Sequence, residues 1–279
     1  MKKIEERFAV HVDDYKSYDT EKLRKHFLIE NIFSADDVLF TYTHYERLMV
    51  GGAMPVNTSL KLESIDQLKS DYFLHRRELG AINIGGNGKI TVDGEVFAIG
   101  TKEALYIGRG AKEVIFSSDD SSNPAKFYLN STPAHCTYPT KKVNKENSKV
   151  LHMGAGDTCN ERDIYQLMIS TVLETCQLQM GMTELKPGSI WNTMPMHTHS
   201  RRMEAYFYFN IPDTHAVCHF MGPAEETRHI WVGNEQAVVS PPWSMHSGVG
   251  TANYTFIWGM AGENLDYTDM DFHKPSEVK

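Results

Sequence analysis

The sequence is poor in the features that mark several protein classes. It has 4 cysteines in 279 residues. Cys136, Cys159, Cys176 and Cys218 stand far apart, none in a Cys-x-x-Cys pair, which excludes a zinc ribbon or compact disulfide framework and suits separate thiols in a reducing compartment. Cationic excess is missing too: 28 Lys and Arg against 36 Asp and Glu leave a formal charge of −8. A nucleic-acid surface needs a net basic face, so polyanion binding is set aside, although a local basic pocket for a small carboxylate is not. No apolar run approaches the roughly 20 residues of a membrane span. Glu5-Glu6-Arg7 interrupts the apolar stretch that an export signal would need after Lys2-Lys3. The expectation is a cytoplasmic protein with neither membrane nor nucleic acid as partner. The 41% hydrophobic and 23% charged residues that are there form an ordinary globular composition, long enough for one large β domain or two of usual size.

Along the chain, Thr20 to Ile29 carries a short helical stripe of Leu23, Phe27 and Leu28. Val38 to Val50 reads as a strand that Gly51-Gly52 stops. Short β-rich runs then follow closely: Ala81 to Ile84, Lys89 to Val92, Glu95 to Ile99, Ala104 to Ile107 and Lys112 to Phe116. Glycine-rich breaks separate them, and Asp93-Gly94 between two such runs is a strong hairpin signal. Gly85-Gly86-Asn87-Gly88 lacks the Lys-Ser/Thr of a phosphate loop and no helix pattern follows it, so it is a turn. His75-Arg76-Arg77-Glu78 reads as a solvated strand end, since a single histidine is a poor ligand constellation. The polar segment Lys141 to Lys149 is the expected linker, dividing 1–150 from 151–279. The fold class is all-β with short peripheral helices.

The chemistry concentrates after residue 190. In Met194-Pro195-Met196-His197-Thr198-His199, an extended backbone puts His197 and His199 on one face, close enough for both rings to reach one ion. Glu204 has the opposite parity, so Ser200 to Met203 must turn or bulge to bring it back. Pro241-Pro242 ends a later strand and sets the approach of His246, completing a set of three imidazoles and one carboxylate. Such donors suit Zn, Mn, Fe or Ni. Arg162 can salt-bridge locally or supply a guanidinium for a substrate carboxylate. Tyr206 and Tyr208 share a face with Glu204, and Tyr254, Phe256 and Trp258 alternate along the last long strand, as barrel filling or as an aromatic wall. His215, His219 and His229 lack partners at ligand spacing and read as ordinary strand or loop residues.

The His-x-His pair, the carboxylate and the distant histidine resemble the metal site of the cupin superfamily, although Trp191, Ile211, Trp243 and Gly250 replace residues of the general pattern. Met194 to Asn210, Glu226 to Ile230, Asn234 to Val238, His246-Ser247-Gly248 and Tyr254 to Asn264 more narrowly resemble the 5-keto-4-deoxyuronate isomerase family. That resemblance implies a bicupin: two antiparallel β-barrel or jelly-roll domains, 1–150 without a metal set and 151–279 with one. It implies one divalent ion per subunit, zinc, on His197, His199, Glu204 and His246. The activity implied is aldose–ketose isomerisation of 5-dehydro-4-deoxy-D-glucuronate to 3-deoxy-D-glycero-2,5-hexodiulosonate in pectin breakdown, with Arg162 and Tyr254 as substrate contacts. A homo-oligomer, a hexamer, would be the working form. Alternatives from the residues are a 5-deoxyglucuronate isomerase, a cupin dioxygenase and a non-catalytic sugar-acid sensor.

Overall fold

The computed structural model describes residues 3–263 and 266–279. The chain divides into two compact units, one of Met1–Arg7, Ile32–Lys149 and Leu167–Gln179, the other of Phe8–Asn31, Val150–Gln166 and Met180–Lys279. They are therefore not the continuous halves 1–150 and 151–279, because Phe8–Asn31 is counted with the second unit and Leu167–Gln179 with the first. Among the described residues, no helix is long and apolar enough to cross a membrane.

In the first unit, a seven-stranded sheet runs in the order Ile4–Arg7, Val38–Thr43, Met49–Ala53, Phe127–Pro133, Arg77–Asn83, Ala104–Ile107, Lys141–Val143. A four-stranded sheet of Leu60–Lys61, Val114–Ser118, Gly88–Val92 and Glu95–Ile99 completes it. Phe40, Leu79, Ala81, Phe127 and Leu129 of the larger sheet share one apolar core with Ile90, Ile99 and Phe116 of the smaller, as the alternation of strand side chains requires. Asp93 and Gly94 both take positive φ, 47° and 90°, joining Val92 to Glu95 in a two-residue hairpin.

Three sequence expectations fail here for physical reasons. Gly51 and Gly52 lie inside a strand rather than ending one, because a Cβ on Gly51 would stand 2.1 Å from the Leu39 carbonyl oxygen and one on Gly52 2.6 Å from that of Ile32. Lys141–Val143, expected as linker, pairs with Ala104–Ile107 as an edge strand, where lysine protects an open edge. Arg77 and Glu78 are 5% and 0% exposed, not solvated. The Glu78 carboxylate accepts from the Tyr106 hydroxyl at 2.7 Å, Thr132 Oγ1 at 3.1 Å and the backbone amides of Cys176, Gln177 and Leu178 at 2.8, 2.7 and 2.8 Å. That grip explains why Leu167–Gln179 belongs to this unit.

The second unit repeats the plan. Its larger sheet runs Lys149–Met153, Arg162–Met168, Gln179–Leu185, Thr255–Gly262, Arg202–Phe209, Gln236–Ser240, Leu28–Ile29, and its smaller one Arg228–Val232, Val217–Gly222, Met245–Gly250, Trp191–Thr198, Asp271–Phe272. The predicted helix forms over Thr20–Phe27, its first turn capped by Asp19, which accepts from the Lys22 amide at 2.9 Å. Leu23 and Phe27 are buried, Phe27 meets Trp243 edge-on at 6.1 Å, and Leu28–Ile29 then pairs with Val238 and Ala237. The expected all-β bicupin architecture holds.

Replacing Glu78 by Gln turns one accepting oxygen into a donor facing donors. The variant should lose about 3 kcal/mol of stability, read as a lower urea midpoint, while Glu113→Gln on the surface should change it little.

Candidate metal centre

The ligand strand Trp191–Thr198 runs antiparallel to Met245–Gly250, and the register sets His197 directly opposite His246. The ladder between them shifts after Asn192, which is where Met194-Pro195 lies with a cis peptide bond. The chain turns at Ser200-Arg201 and re-enters the other sheet at Arg202. This is the corner that the parity of Glu204 demanded. Glu204 pairs across the sheet with Ser240, and Ser240 Oγ is 3.1 Å from His246 Nδ1.

The four donors converge within 4.8 Å of one another. Glu204 Oε2 lies 3.0 Å from both His199 Nε2 and His246 Nε2, and His246 Nε2 lies 3.1 Å from His197 Nε2. All four residues are at least nine-tenths buried. With metal–ligand bonds of about 2.1 Å, neighbouring atoms of a tetrahedral or octahedral shell stand about 3.0 to 3.4 Å apart, so this spacing is that of a coordination shell. Hydrogen bonding alone satisfies it poorly: a neutral His246 has one Nε2 proton at most and cannot donate to both Glu204 and His197.

Protonation states agree. Burial, then the neighbouring imidazoles, hold His197 well below the usual histidine range, and burial lowers His199 against the pull of Glu204. For Glu204, burial alone would raise the carboxyl, but His246 and His199 outweigh it and keep it well below the carboxylate range. A neutral His197 and His199 beside an anionic Glu204 are the forms that bind a cation. The residues fit a divalent ion.

Arg162, at the start of its strand, is 6% exposed. Its Nη1 donates to the Asn160 carbonyl at 2.8 Å and Nη2 to that of Met194 on the ligand strand at 3.2 Å. Among the described residues no carboxylate pairs with it, so the local salt bridge weighed from the sequence does not form, and burial lowers the guanidinium's pKa from its usual value. Tyr254 turns its hydroxyl to the barrel interior, accepting from Asn192 Nδ2 at 2.7 Å and donating to the Ile190 carbonyl at 3.2 Å. His219 is fully buried, with Nδ1 2.8 Å from the Tyr208 hydroxyl and no partner for Nε2.

Sequence reasoning missed the chain's last segment. Asp271–Phe272 pairs with Thr198 and His197, and the Phe272 ring meets the His197 imidazole edge-on at 5.6 Å. Arg202, fully buried, donates to the carbonyls of Asp266 and Tyr267, both at 2.9 Å, and pairs with Asp269 at 2.6 Å. No motif signals a two-residue strand; only the acidic run after Glu263, opposite the unexplained Arg201-Arg202, hints at this pairing. A second group, His135, Cys136 and Cys176, also brings its donor atoms within 4.8 Å. There burial pushes the Cys176 thiol up to about 11, which disfavours the thiolate a metal needs, and its sulfur lies 3.4 Å from that of Cys136 as a hydrogen-bonded pair.

The repeated barrel and its buried His₃Glu group define a protein of the bicupin type with a centre that could hold a metal ion. The model of the KduI/IolB family matches residues 28–277, and the chain belongs to that family. It is 59% identical over 277 residues to the 4-deoxy-L-threo-5-hexosulose-uronate ketol-isomerase of Formosa agariphila, covering 99% of each chain. Among solved structures, an IolB-like protein from Salmonella typhimurium superposes with a TM-score of 0.73 at 15% identity, over 88% of this chain and 96% of that one. The oxalate decarboxylase of Lactobacillus farciminis in its formate complex gives 0.56 at 14% identity, over 80% and 79%. These two likenesses concern the fold.

Replacing His246 by Ala should lower metal affinity by about 100-fold or more, and Ser240→Ala, which only frees the far side of that ring, by about 10-fold. Elemental analysis after dialysis and competition with a chromophoric chelator read both values.

Proposed function

We propose that this chain is a metal-dependent aldose–ketose isomerase that converts 5-dehydro-4-deoxy-D-glucuronate to 3-deoxy-D-glycero-2,5-hexodiulosonate, a step in the breakdown of pectin-derived uronates, with zinc as its resident ion. It would work in the cytoplasm as a homo-oligomer. The observation that carries the reading is the buried three-imidazole, one-carboxylate centre in a chain 59% identical to a named ketol-isomerase along nearly its whole length.

Moving a carbonyl from C1 to C2 shifts hydrogen between adjacent carbons with no net oxidation. A bound divalent ion supplies Lewis-acid polarisation of the carbonyl and its neighbouring hydroxyl. The protein's own groups do the rest. Arg162, a buried guanidinium with no carboxylate partner among the described residues, is the anion receptor for the substrate carboxylate. An unpaired buried cation costs several kcal/mol, a cost that an anionic ligand removes. Its bond to the Met194 carbonyl ties that receptor to the ligand strand, so carboxylate and reacting carbons are positioned by one piece of backbone. Tyr206, whose hydroxyl meets Thr193 Oγ1 at 3.1 Å and whose ring lies 5.1 Å from His246, walls the site against water. Tyr254, one strand away, contributes polarity through Asn192.

Turnover is measured by following ketose formation from 5-dehydro-4-deoxy-D-glucuronate with zinc-loaded protein; no ketose formation sinks the reading, and oxygen consumption by an iron-loaded sample would point to a dioxygenase. Arg162→Lys keeps the charge but loses the planar fork, and should raise KM about 10-fold with metal content unchanged.

A further inference from the structure

Two residues along the strands from the metal ligands, a row of buried polar side chains ends in two atoms that nothing among the described residues meets. His219 pairs with Gly248, as Met221 does with His246. On the other side of the same strand, Asn192 pairs with Gly248 and His197 with His246. Paired residues, and those two positions apart, share a face, so His219 and Asn192 flank Gly248 on the face that carries His246. Glycine leaves the room this needs: a Cβ there would stand 2.8 Å from Asn192 Nδ2 and 3.1 Å from the Tyr208 hydroxyl. The Tyr206 ring, 5.1 Å from that of His246 and 5.6 Å from that of His219, spans the two.

The hydrogen bonds of the row run in one direction. Tyr254 gives its proton to a main-chain carbonyl, that of Ile190 at 3.2 Å or of Gly248 at 3.4 Å, and accepts from Asn192 Nδ2 at 2.7 Å. The second Nδ2 proton points to the Tyr208 hydroxyl at 3.4 Å. Tyr208 then has one acceptor for its own proton among the described residues, His219 Nδ1 at 2.8 Å. Full burial disfavours a charged imidazole, and a neutral ring that accepts at Nδ1 carries its hydrogen on Nε2. The row therefore ends in a donor at His219 Nε2 and an acceptor at Asn192 Oδ1, both fully buried and both without a partner. Two such open groups are costly unless a ligand meets them.

We propose that His219 is a substrate-binding residue, its Nε2–H donating to the C3 hydroxyl of the uronate, with Tyr208 as the positioning residue that sets the tautomer. This rests on the isomerase reading above. One open donor beside one open acceptor is the complement of a hydroxyl, which both accepts and donates, and not of a carboxylate, which only accepts. In 5-dehydro-4-deoxy-D-glucuronate, C1 and C2 are the reacting carbons and C4 carries no oxygen, which leaves the C3 hydroxyl; Asn192 Oδ1 is the acceptor open to its proton. A neutral imidazole suits the place, because a charged one would repel the bound ion.

The test compares His219→Gln, whose amide can accept from Tyr208 and donate outward, with the double variant Tyr208→Phe/His219→Leu, which removes both partners of their bond and strands neither. Both are made in full-length zinc-loaded protein. Binding is measured by calorimetry with a pre-equilibrated mixture of 5-dehydro-4-deoxy-D-glucuronate and its ketose, so that no net reaction contributes heat, alongside steady-state kinetics, metal content and thermal midpoint. The double variant should raise Kd about 10- to 100-fold, with KM rising more than kcat falls, while His219→Gln stays within about 5-fold of wild type. Nitrogen NMR of wild-type protein with isotope-labelled histidine should place the His219 proton on Nε2 and show its signal move when the mixture binds. Wild-type Kd in the double variant, a Gln variant as weak as the double one, or a proton on Nδ1 overturns the proposal. So does loss of metal or a lowered midpoint in both variants, which would make the row structural. Wild-type protein that binds the mixture but forms no ketose overturns the isomerase reading instead, and leaves His219 scored by Kd and by its NMR signal.

Discussion

The constraint on which the site depends is a carboxylate, Glu204, buried among three imidazoles. Taking such a charge out of water costs several kcal/mol unless it is closely compensated. Two histidine nitrogens at 3.0 Å begin that compensation, and a cation at their centre would complete it. The strand register makes the arrangement possible. His197 and His246 meet only because Trp191–Thr198 and Met245–Gly250 pair as they do, and a slip of one residue would turn every side chain of the ligand strand to the other face. The ladder shift after Asn192 and the turn at Ser200-Arg201 are the irregularities that bring three ligands from consecutive segments onto one point.

The two units show what that constraint needs, because they share a strand order and differ in the site. In each, a buried arginine opens the strand that pairs with the central strand of the larger sheet: Arg77 opposite Pro133 of Phe127–Pro133, and Arg202 opposite Gly262 of Thr255–Gly262. Counting from it, Leu79 stands where Glu204 stands, and packs into the apolar core. The carboxylate of the first unit is one residue earlier, at Glu78, and so lies on the other face of the sheet. There it accepts backbone amides instead of facing histidines. The counterpart of the ligand strand is only Leu60–Lys61, without a histidine. One position of phase and one shortened strand separate a structural carboxylate from a ligand.

The same phase explains what the sequence discloses. His197-x-His199 and the proline-framed His246 are local patterns whose geometry follows from strand periodicity, and the turn before Glu204 follows from its wrong parity. Asp93-Gly94 is legible because a two-residue hairpin demands two positive φ values. Glu78 is not, since nothing local says which face of a buried strand a lone acid takes or that a loop a hundred residues on will offer it three amides. Gly51-Gly52 misleads for a related reason: the glycines serve close approach of a neighbouring carbonyl, which is a tertiary fact. Tyr267 and Phe272 belong to a segment with no periodicity, held by Arg202 through main-chain carbonyls that carry no sequence signal. Arg162 is legible as a residue type, but its missing partner is visible only once its surroundings are fixed.

Charge then decides what the site can hold. Of the buried arginines Arg162 and Arg202, Arg202 is neutralised by Asp269 at 2.6 Å, whereas among the described residues Arg162 has only carbonyl oxygens. Glu204 offsets one charge of a divalent ion and no more. With such an ion bound, the site would be locally cationic inside a chain of net charge −8, and burial would make that local excess count for more than the surface does, because screening by water and salt is weak there. A neutral sugar would leave the guanidinium uncompensated. An acid that placed its carboxylate on Arg162 and its oxygens toward the histidines would resolve both ends at once, so the pairing of Arg202, and the lack of one for Arg162 among the described residues, supports the proposal of an anionic substrate.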